Sequence, residues 1–301
     1  MTIPYPNLLV KVDIGKICGM LDGMILMDMN QLTIANLMAE SKGKPSMDIG
    51  LIRHMVINTI RTVRMRFHAE YGEPVLCYDS RVRGWRKEVY PPYKANRKKE
   101  REASDVDWDA LWDILRQIKA EVKETFPYKM MEVDSCEGDD LIAILAKNLP
   151  GKHMVVSSDH DFFQLQSDSV SQWCPRTKQI IKCEDPKREL VRHIMRGDSG
   201  DGVPNFLSDD TVFIDGRRQK PVYEKKLNEW IELPLNTFCT DEMLRNYERN
   251  KTVIDFSSIP SRIEDAIMQE YSKPIEGSRA KIMDYMMENN MRLMLQHLQE
   301  F

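Results

Sequence analysis

The chain has 301 residues, of which 42% are hydrophobic, and a formal net charge of −4. This length suffices for one large domain or two modest ones, and the small negative charge argues against a protein that coats nucleic acid nonspecifically. No apolar run is long enough to span a membrane, and the N-terminus lacks the basic and apolar blocks of a secretion signal. The six cysteines are scattered without a C-x-x-C pair, which is typical of a reduced cytoplasmic protein and gives no zinc pattern.

Strand-like and helix-like segments alternate between residues 24 and 183. Such alternation predicts an α/β fold with a central, mostly parallel sheet flanked by helices. The strand candidates are residues 24–27, 75–78, 129–132 and 153–157, and the helical candidates are 49–69, 108–126 and 141–149.

From about residue 184 onward the strand signal fades and helical segments dominate. We therefore expect a catalytic α/β domain over 1–183 and a helical C-terminal domain over 184–301. The polar stretch 208–221 is predicted to be a loop. The last helical segment, 280–298, carries a row of methionines on one face, which we interpret as core packing, with a partner-binding surface as the alternative.

Three of the strand candidates lead into an aspartate, and two further acidic motifs occur at residues 137–140 and 198–201. The carboxyl ends of parallel strands meet at one edge of a sheet, so these side chains are predicted to share a pocket. Many like charges share a pocket only when cations neutralise them, and oxygen ligands favour magnesium or manganese. The candidate metal ligands are Asp28, Asp79, Glu137, Asp139, Asp140, Asp159, Asp161, Asp198 and Asp201.

Each acidic motif also has a purely structural interpretation. Asp159 can cap a helix, Glu137 can favour a helix dipole, and Asp198 can belong to an ordinary turn. Taken together, the structural interpretation requires several independent coincidences. The combination favours a divalent-metal site that hydrolyses phosphodiesters, because two bound metal ions supply the hydroxide, neutralise the phosphate and stabilise the leaving oxygen.

A basic segment lies beside one of these acids. Residues 81–101 hold nine Lys or Arg against two Glu, with aromatic residues between them. Phosphate attraction explains the cations, and base stacking explains Trp85, Tyr90 and Tyr93, whereas the alternative is a solvated basic loop. The predicted nucleic-acid contacts are Arg81, Arg83, Arg86, Lys87, Tyr93 and Lys98.

Three motifs, residues 137–143, 157–165 and 197–205, resemble those of the 5′-nuclease (flap endonuclease) superfamily. Residues 93–97 resemble that family's arch segment. The stretch 253–260 and the chain length are similar to the T-even-type bacteriophage ribonuclease H branch. One departure is that Asn205 is not followed by the family's usual glycine-rich loop.

The resemblance implies a 5′-nuclease/PIN-like fold with a helical arch at about 81–105, and a DNA-binding C-terminal domain with a helix-turn-helix-like element near 190–210. It implies two Mg²⁺, with Mn²⁺ able to substitute, and places Lys94 and Arg97 opposite the scissile phosphate. The implied activity is 5′→3′ exonuclease and flap endonuclease cleavage that removes RNA primers and adjoining DNA from lagging-strand fragments.

The same resemblance implies a monomer in the cytoplasm of an infected bacterial cell. Its substrates would be nicked or branched duplex DNA and RNA/DNA hybrid with a 5′ end or flap, and its protein partners a single-stranded DNA-binding protein and a sliding clamp. Two other hypotheses remain open at this point: a PIN-like single-strand ribonuclease or small-substrate phosphohydrolase, and a non-catalytic nucleic-acid-binding replication accessory.

Overall fold

The computed structural model of the chain describes residues 23–40 and 48–301, excepting the side chains of residues 39, 40 and 98–100. Within these residues, six strands form one sheet in the order β3-β2-β1-β4-β5-β6. The first five in this order run parallel, and only β6 pairs antiparallel. This confirms the predicted α/β class. The strands are β1 (Met24–Asp28), β2 (Pro74–Cys77), β3 (Lys129–Met131), β4 (His153–Val156), β5 (Val170–Cys174) and β6 (Gln179–Ile181).

Helices cover the sheet and make up most of the C-terminal region. The predicted helices at 49–69, 108–126 and 141–149 are confirmed, with small differences at their ends. The helices are α1 (Met29–Glu40), α2 (Ile49–Tyr71), α3 (Arg86–Val89), α4 (Asn96–Glu102), α5 (Trp108–Thr125), α6 (Gly138–Asn148), α7 (Pro186–Arg196), α8 (Glu224–Ile231), α9 (Asp241–Ile254), α10 (Ser261–Ser272) and α11 (Arg279–Glu288), with short 3₁₀ helices at His160–Leu165, Leu235–Thr237, Phe256–Ser258 and Arg292–Glu300.

Successive side chains of β1 point to opposite faces of the sheet, as the strand geometry requires. Ile25 and Met27 belong to a core that includes side chains of α2, α5 and α11. Leu26 belongs to a second core with side chains of α6 and α10. Because both faces are covered, β1 is buried along its whole length, which explains its uninterrupted apolar sequence.

The C-terminal region is divided among three cores. Helices α10 and α11 pack on opposite faces of the sheet. A third core joins Tyr90 and Tyr93, which belong to residues 81–105 (called the arch segment below), to Ile194, Phe206 and other side chains of the C-terminal region. The arch segment is therefore held between the sheet and the C-terminal helices.

Two expectations for the C-terminal region differ from the structure. The range 190–210 contains the end of α7 but no second helix, and the next helix, α8, begins at Glu224. The methionine row at 280–298 is not one helical face, because α11 ends at Glu288 and Asn290 adopts a positive φ of 56°. Met291 and Met294 are buried, whereas Met283 and Met287 are about half exposed. The predicted loop at 208–221 is confirmed.

Among the described residues, none of the helices has both the length and the apolar character needed to cross a lipid bilayer.

Candidate metal centre

Three aspartates lie at the carboxyl ends of three adjacent strands. Strand β1 pairs with β2 on one side and β4 on the other, and Asp28, Asp79 and Asp159 lie at or just beyond their ends. These three aspartates and Asp139 line one cleft of about 440 Å³. The prediction that strand-end acids share a pocket is confirmed for this group, which we call the first acidic group.

Local hydrogen bonds orient the first acidic group. Asp28 accepts hydrogen bonds from the backbone N–H of Gln31 at 3.1 Å and from the hydroxyl of Ser157 at 3.0 Å. Asp79 accepts one from the N–H of Gly138 at 2.8 Å. A Cβ at Gly138 would lie 3.3 Å from that carboxylate oxygen, so glycine allows the start of α6 to approach Asp79 closely.

The first acidic group is electrostatically unfavourable when all its members are ionised. Burial, with the charges of Asp79 and Asp159, raises the pKa of Asp28 to about 7. Burial, with the charges of Asp28 and Asp159, raises the pKa of Asp139 well above its ordinary value. Oxygen donors that repel one another in this way fit a divalent cation, which offsets the repulsion and binds the ionised form.

A second acidic group contains a histidine, His193, that was not among the candidate ligands. Ligand atoms of Asp161, His193 and Asp198 all lie within 4.8 Å of one another. His193 occupies the last turn of α7, five residues before Asp198. Its Nδ1 lies 3.2 Å from a carboxylate oxygen of Asp161. The available signal was a histidine in the last turn of a helix, four residues before the G-D-x-x-D turn at 197–201, whereas the candidate ligands drawn from the sequence were all carboxylates.

The two groups meet at Asp139. Asp139, Asp161, Asp198 and Asp201 line a cavity of about 10 Å³, roughly the space of one water-sized sphere. Burial and the charge of Asp159 raise the pKa of Asp161 well above its ordinary value. The acids thus form two neighbouring groups, and Asp139 lines the clefts of both.

Glu137 and Asp201 are bonded to cations of the arch segment. The ammonium group of Lys94 lies 2.6 Å from Glu137 and 3.5 Å from Asp201, and Arg97 forms an ion pair with Asp201. Although burial opposes it, the charge of Lys94 holds the pKa of both carboxyl groups below their ordinary values. The phenolic oxygen of Tyr93 lies 2.9 Å from Glu137 and 2.8 Å from Asp201, so its one hydroxyl proton can be donated to either acid.

Lys94 is positioned by its backbone as well as by its side chain. Its φ of 55° lies in the left-handed region, which costs a non-glycine residue on the order of 1–3 kcal/mol. Its N–H donates to the carbonyl oxygen of Asp201 at 2.7 Å. Lys94 and Arg97 both line the cleft of the first acidic group. The fold therefore places two cations at the edge of the acidic cleft.

Asp140 differs from the other predicted metal ligands. It is fully buried, and Arg86 forms an ion pair with it at 2.8 Å. It also accepts hydrogen bonds from the indole N–H of Trp85 at 3.1 Å and from the backbone N–H of Glu137 at 2.9 Å. These partners hold Asp140 in the interior at the start of α6, and Asp140 is not among the residues that line the two acidic clefts.

Arg86, which was predicted to contact nucleic acid, is enclosed by the fold, and so are Trp85, Tyr90 and Tyr93, which were predicted to stack on bases. All four side chains are at most 5% exposed. Arg86 is held by Asp140, by Glu137 and by the carbonyl oxygen of Val253. The aromatic rings pack within the cores that join the arch segment to its neighbours, where apolar burial stabilises them.

Other predicted contacts remain accessible. Arg81, Arg83 and Lys87 line a cleft of about 860 Å³ next to the acidic one, together with Lys94 and Arg97. Arg83 donates to the carbonyl oxygen of Lys87 at 2.9 Å, which ties the two residues together. Lys98 belongs to α4, but its side chain lies outside the described residues.

Comparison with known proteins identifies the family. Residues 19–191 match the family described as 5′-3′ exonuclease, N-terminal resolvase-like domain, and residues 185–301 match T4 RNase H, C terminal. The chain belongs to the 5′-3′ exonuclease family. It is a nuclease of the flap endonuclease type, and it hydrolyses phosphodiester bonds.

Two curated relatives illustrate how far this similarity extends. The nuclease is 30% identical to ribonuclease H of Enterobacteria phage T4 over 93% of this chain and 96% of that protein. It is 31% identical to the flap endonuclease Xni of Shewanella loihica, over 44% of this chain and 52% of that protein. The first similarity extends through both the α/β and the C-terminal regions.

The fold of this nuclease also occurs in solved structures. The crystal structure of the bacteriophage T5 flap endonuclease with DNA and metal ions has a TM-score of 0.58, with 14% identity, and the match covers 83% of this chain and 100% of that chain. A metal-ion crystal structure of the same phage protein has a TM-score of 0.59 at 15% identity and covers 83% and 98% of the two chains. These likenesses confirm the α/β fold.

Proposed function

We propose that this nuclease uses two divalent cations, Mg²⁺ with Mn²⁺ able to substitute, to cleave nucleic acid near a 5′ end. The supporting observation is the pair of acidic groups that meet at Asp139 beside Lys94 and Arg97. Asp28, Asp79 and Asp159 would hold one cation, and Asp161, Asp198 and His193 the other, with Asp139 between them. Bound cations at such a centre supply an activated hydroxide and stabilise the leaving oxygen.

Glu137 and Asp201, also candidate ligands, have a different role in this proposal. Both carboxylates contact the ammonium group of Lys94, and Asp201 contacts Arg97. We assign them to the positioning of these cations beside the reacting phosphate. Lys94 and Arg97 would then offset the negative charge that develops at the phosphate during the reaction.

The proposed substrates are RNA primers and 5′ flaps annealed to DNA, processed in the 5′→3′ direction during phage lagging-strand maturation. The support comes from relatives that carry the names ribonuclease H and flap endonuclease. The accessible basic side chains around the large cleft provide phosphate contacts for such substrates. A single-stranded DNA-binding protein and a sliding clamp belong to the same proposal as partners of a monomeric enzyme.

The test is cleavage of a 5′-labelled duplex that carries either an RNA primer or a DNA flap, with Mg²⁺, with Mn²⁺ and with EDTA. The proposal expects short products from the 5′ end with either metal and none with EDTA. A 3′-labelled copy of each substrate controls for polarity. Products that start at the 3′ end, or equal cleavage of unpaired RNA without a duplex, would contradict the proposal and favour a single-strand ribonuclease.

A further inference from the structure

Two tryptophans at the start of α5 stand beside the metal cleft. The rings of Trp108 and Trp112 stack with centroids 6.2 Å apart and planes at 29°. The indole N–H of Trp108 donates to the hydroxyl of Ser104 at 2.7 Å. The carboxylate of Asp107 caps α5 by accepting from the N–H of Ala110 at 3.0 Å. The pair is therefore held in a defined orientation before any ligand binds.

The pair lies where three clefts come together. The acidic cleft of about 440 Å³, the large basic cleft of about 860 Å³ and a third cleft of about 340 Å³ share Asp79, Arg101 and Trp112 in their walls. Trp108 lines the first two. A strand that runs from the acidic cleft into either neighbouring cleft therefore passes Trp112.

Charge around the pair suits a nucleic acid strand. The guanidinium of Arg101 lies 5.9 Å from the ring centroid of Trp112, within cation–π distance. Arg101, Lys94 and Arg97 line the acidic cleft together with both tryptophans. Phosphates can meet these cations while bases meet the aromatic faces, which is the combination found in proteins that bind single strands.

The other tryptophans of the chain do not offer such a surface. Trp85 and Trp173 are buried, at 2% and 8% exposure. Trp230 packs between Phe206 and Phe238, with ring centroids at 5.4 and 5.5 Å. Trp108 and Trp112 are only partly buried, although large aromatic side chains gain most free energy when fully buried. Their partial exposure leaves aromatic surface in the walls of a charged cleft.

We propose that Trp108 and Trp112 form a stacking platform for nucleobases of the single-stranded 5′ segment as it passes the metal centre. This inference rests on the proposed function for the identity of the strand. The stacking role predicted for Trp85, Tyr90 and Tyr93, which are buried, is assigned here to two residues outside the basic segment. Stacking on tryptophan tolerates any base, so the platform would bind the 5′ segment without sequence preference.

The test is equilibrium binding in EDTA, followed by fluorescence anisotropy. Three labelled probes share one duplex: the first has an oligothymidine 5′ flap, the second a flap of the same length made of abasic sites, and the third no flap. The variants are Trp112→Ala and Trp112→Phe, with Trp112→Leu to keep apolar volume without an aromatic face. Trp230→Phe serves as a matched control, and thermal melting verifies that each variant is folded.

We expect Trp112→Ala and Trp112→Leu to weaken binding of the thymidine flap by about tenfold, or about 1.4 kcal/mol. Trp112→Phe should retain most of the affinity, because it keeps an aromatic face. The variants should bind the abasic flap and the flapless duplex with the same affinity as wild type. Equal losses on all three probes, or unchanged affinity for the thymidine flap, would overturn the platform.

The two proposals can fail separately. Binding in EDTA needs no chemistry, so the platform is tested even if Mg²⁺ supports no cleavage. Conversely, if the wild-type enzyme cleaves flaps and Trp112→Ala binds them as tightly as wild type, the proposed function stands and the platform is excluded.

Discussion

The ammonium group of Lys94 lies 2.6 Å from Oε1 of Glu137. Lys94 belongs to the arch segment, and Glu137 caps the helix that carries Asp139 and Asp140. Burial opposes ionisation of both groups, yet their mutual attraction raises the pKa of Lys94 and lowers that of Glu137. The contact therefore keeps a full positive charge at the edge of the acidic cleft at neutral pH.

Replacing Lys94 should impair the chemical step more than binding. We expect Lys94→Ala to slow single-turnover cleavage by about a hundredfold or more, because a contact made in the transition state is lost. Binding of the flap probe in EDTA should weaken by much less. Rapid-quench kinetics and anisotropy separate the two effects, and Lys226→Ala, at an exposed position that lines none of these clefts, provides a control. An unchanged single-turnover rate would remove Lys94 from the reaction.

Replacing Asp159 should separate binding from cleavage. We expect Asp159→Asn to reduce the cleavage rate by about a hundredfold or more. This loss is larger than the one usually seen when a residue that only hydrogen-bonds to a metal ligand is replaced. DNA binding in EDTA should be retained or become tighter, since one repulsive charge is removed from the cleft. Asp134→Asn, at an exposed acid beyond β3, is the control. Weaker binding together with normal turnover would exclude Asp159 from the metal centre.

Replacing His193 should change the metal preference. A nitrogen ligand favours Mn²⁺ over Mg²⁺, so we expect His193→Ala to weaken Mn²⁺ binding at one site by about 10–100-fold, with a smaller effect on Mg²⁺. Electron paramagnetic resonance titration counts the bound Mn²⁺ directly, without an activity measurement. His160→Ala is the matched control, because His160 is exposed and stacks on Phe163. Identical Mn²⁺ titrations for both variants would exclude His193 as a ligand.

The first acidic group should make the metal-free protein less stable as the pH rises. The pKa of Asp28 is about 7 in the folded chain against an ordinary value of 3.8, mainly because Asp28 is buried. The unfolded chain therefore releases this proton first, and folding loses up to about 4 kcal/mol between about pH 4 and pH 7. Urea unfolding in EDTA should show this loss in wild type relative to Asp28→Asn, and bound Mg²⁺ should abolish it. A pH-independent difference between the two proteins would contradict it.

Breaking the buried ion pair between Arg86 and Asp140 should lower the stability of the fold. Arg86→Met leaves Asp140 buried without its cation, and we expect it to destabilise the protein by about 3–5 kcal/mol. Arg83→Met, at an exposed position of the same segment, should change stability by less than about 0.5 kcal/mol. Urea denaturation in EDTA compares the two. Equal stabilities would mean that Asp140 finds another partner.

Much of the sheet edge that carries the first acidic group could be predicted from the local sequence. A buried strand needs an uninterrupted apolar run, and the residue after that run lies at the end of the strand. Asp28, Asp79 and Asp159 were therefore placed correctly at one edge of the sheet. The same reasoning could not distinguish Asp140 from Asp139, because adjacent residues at a helix start point in different directions and only the packing of Trp85 and Arg86 shows which one is enclosed.

The sequence by itself determined the α/β class, the strand-end acids and the presence of cations near them, since these depend on local periodicity and charge. Only the tertiary structure decided which basic and aromatic residues are accessible. In the sequence, an arginine flanked by aromatic residues looks the same whether its side chain contacts a phosphate or a buried carboxylate. Arg86 is buried because Asp140 and Glu137, more than fifty residues away in the chain, provide its counter-charges. Likewise, His193 joins Asp161 only because α7 packs beside the 3₁₀ helix that follows β4.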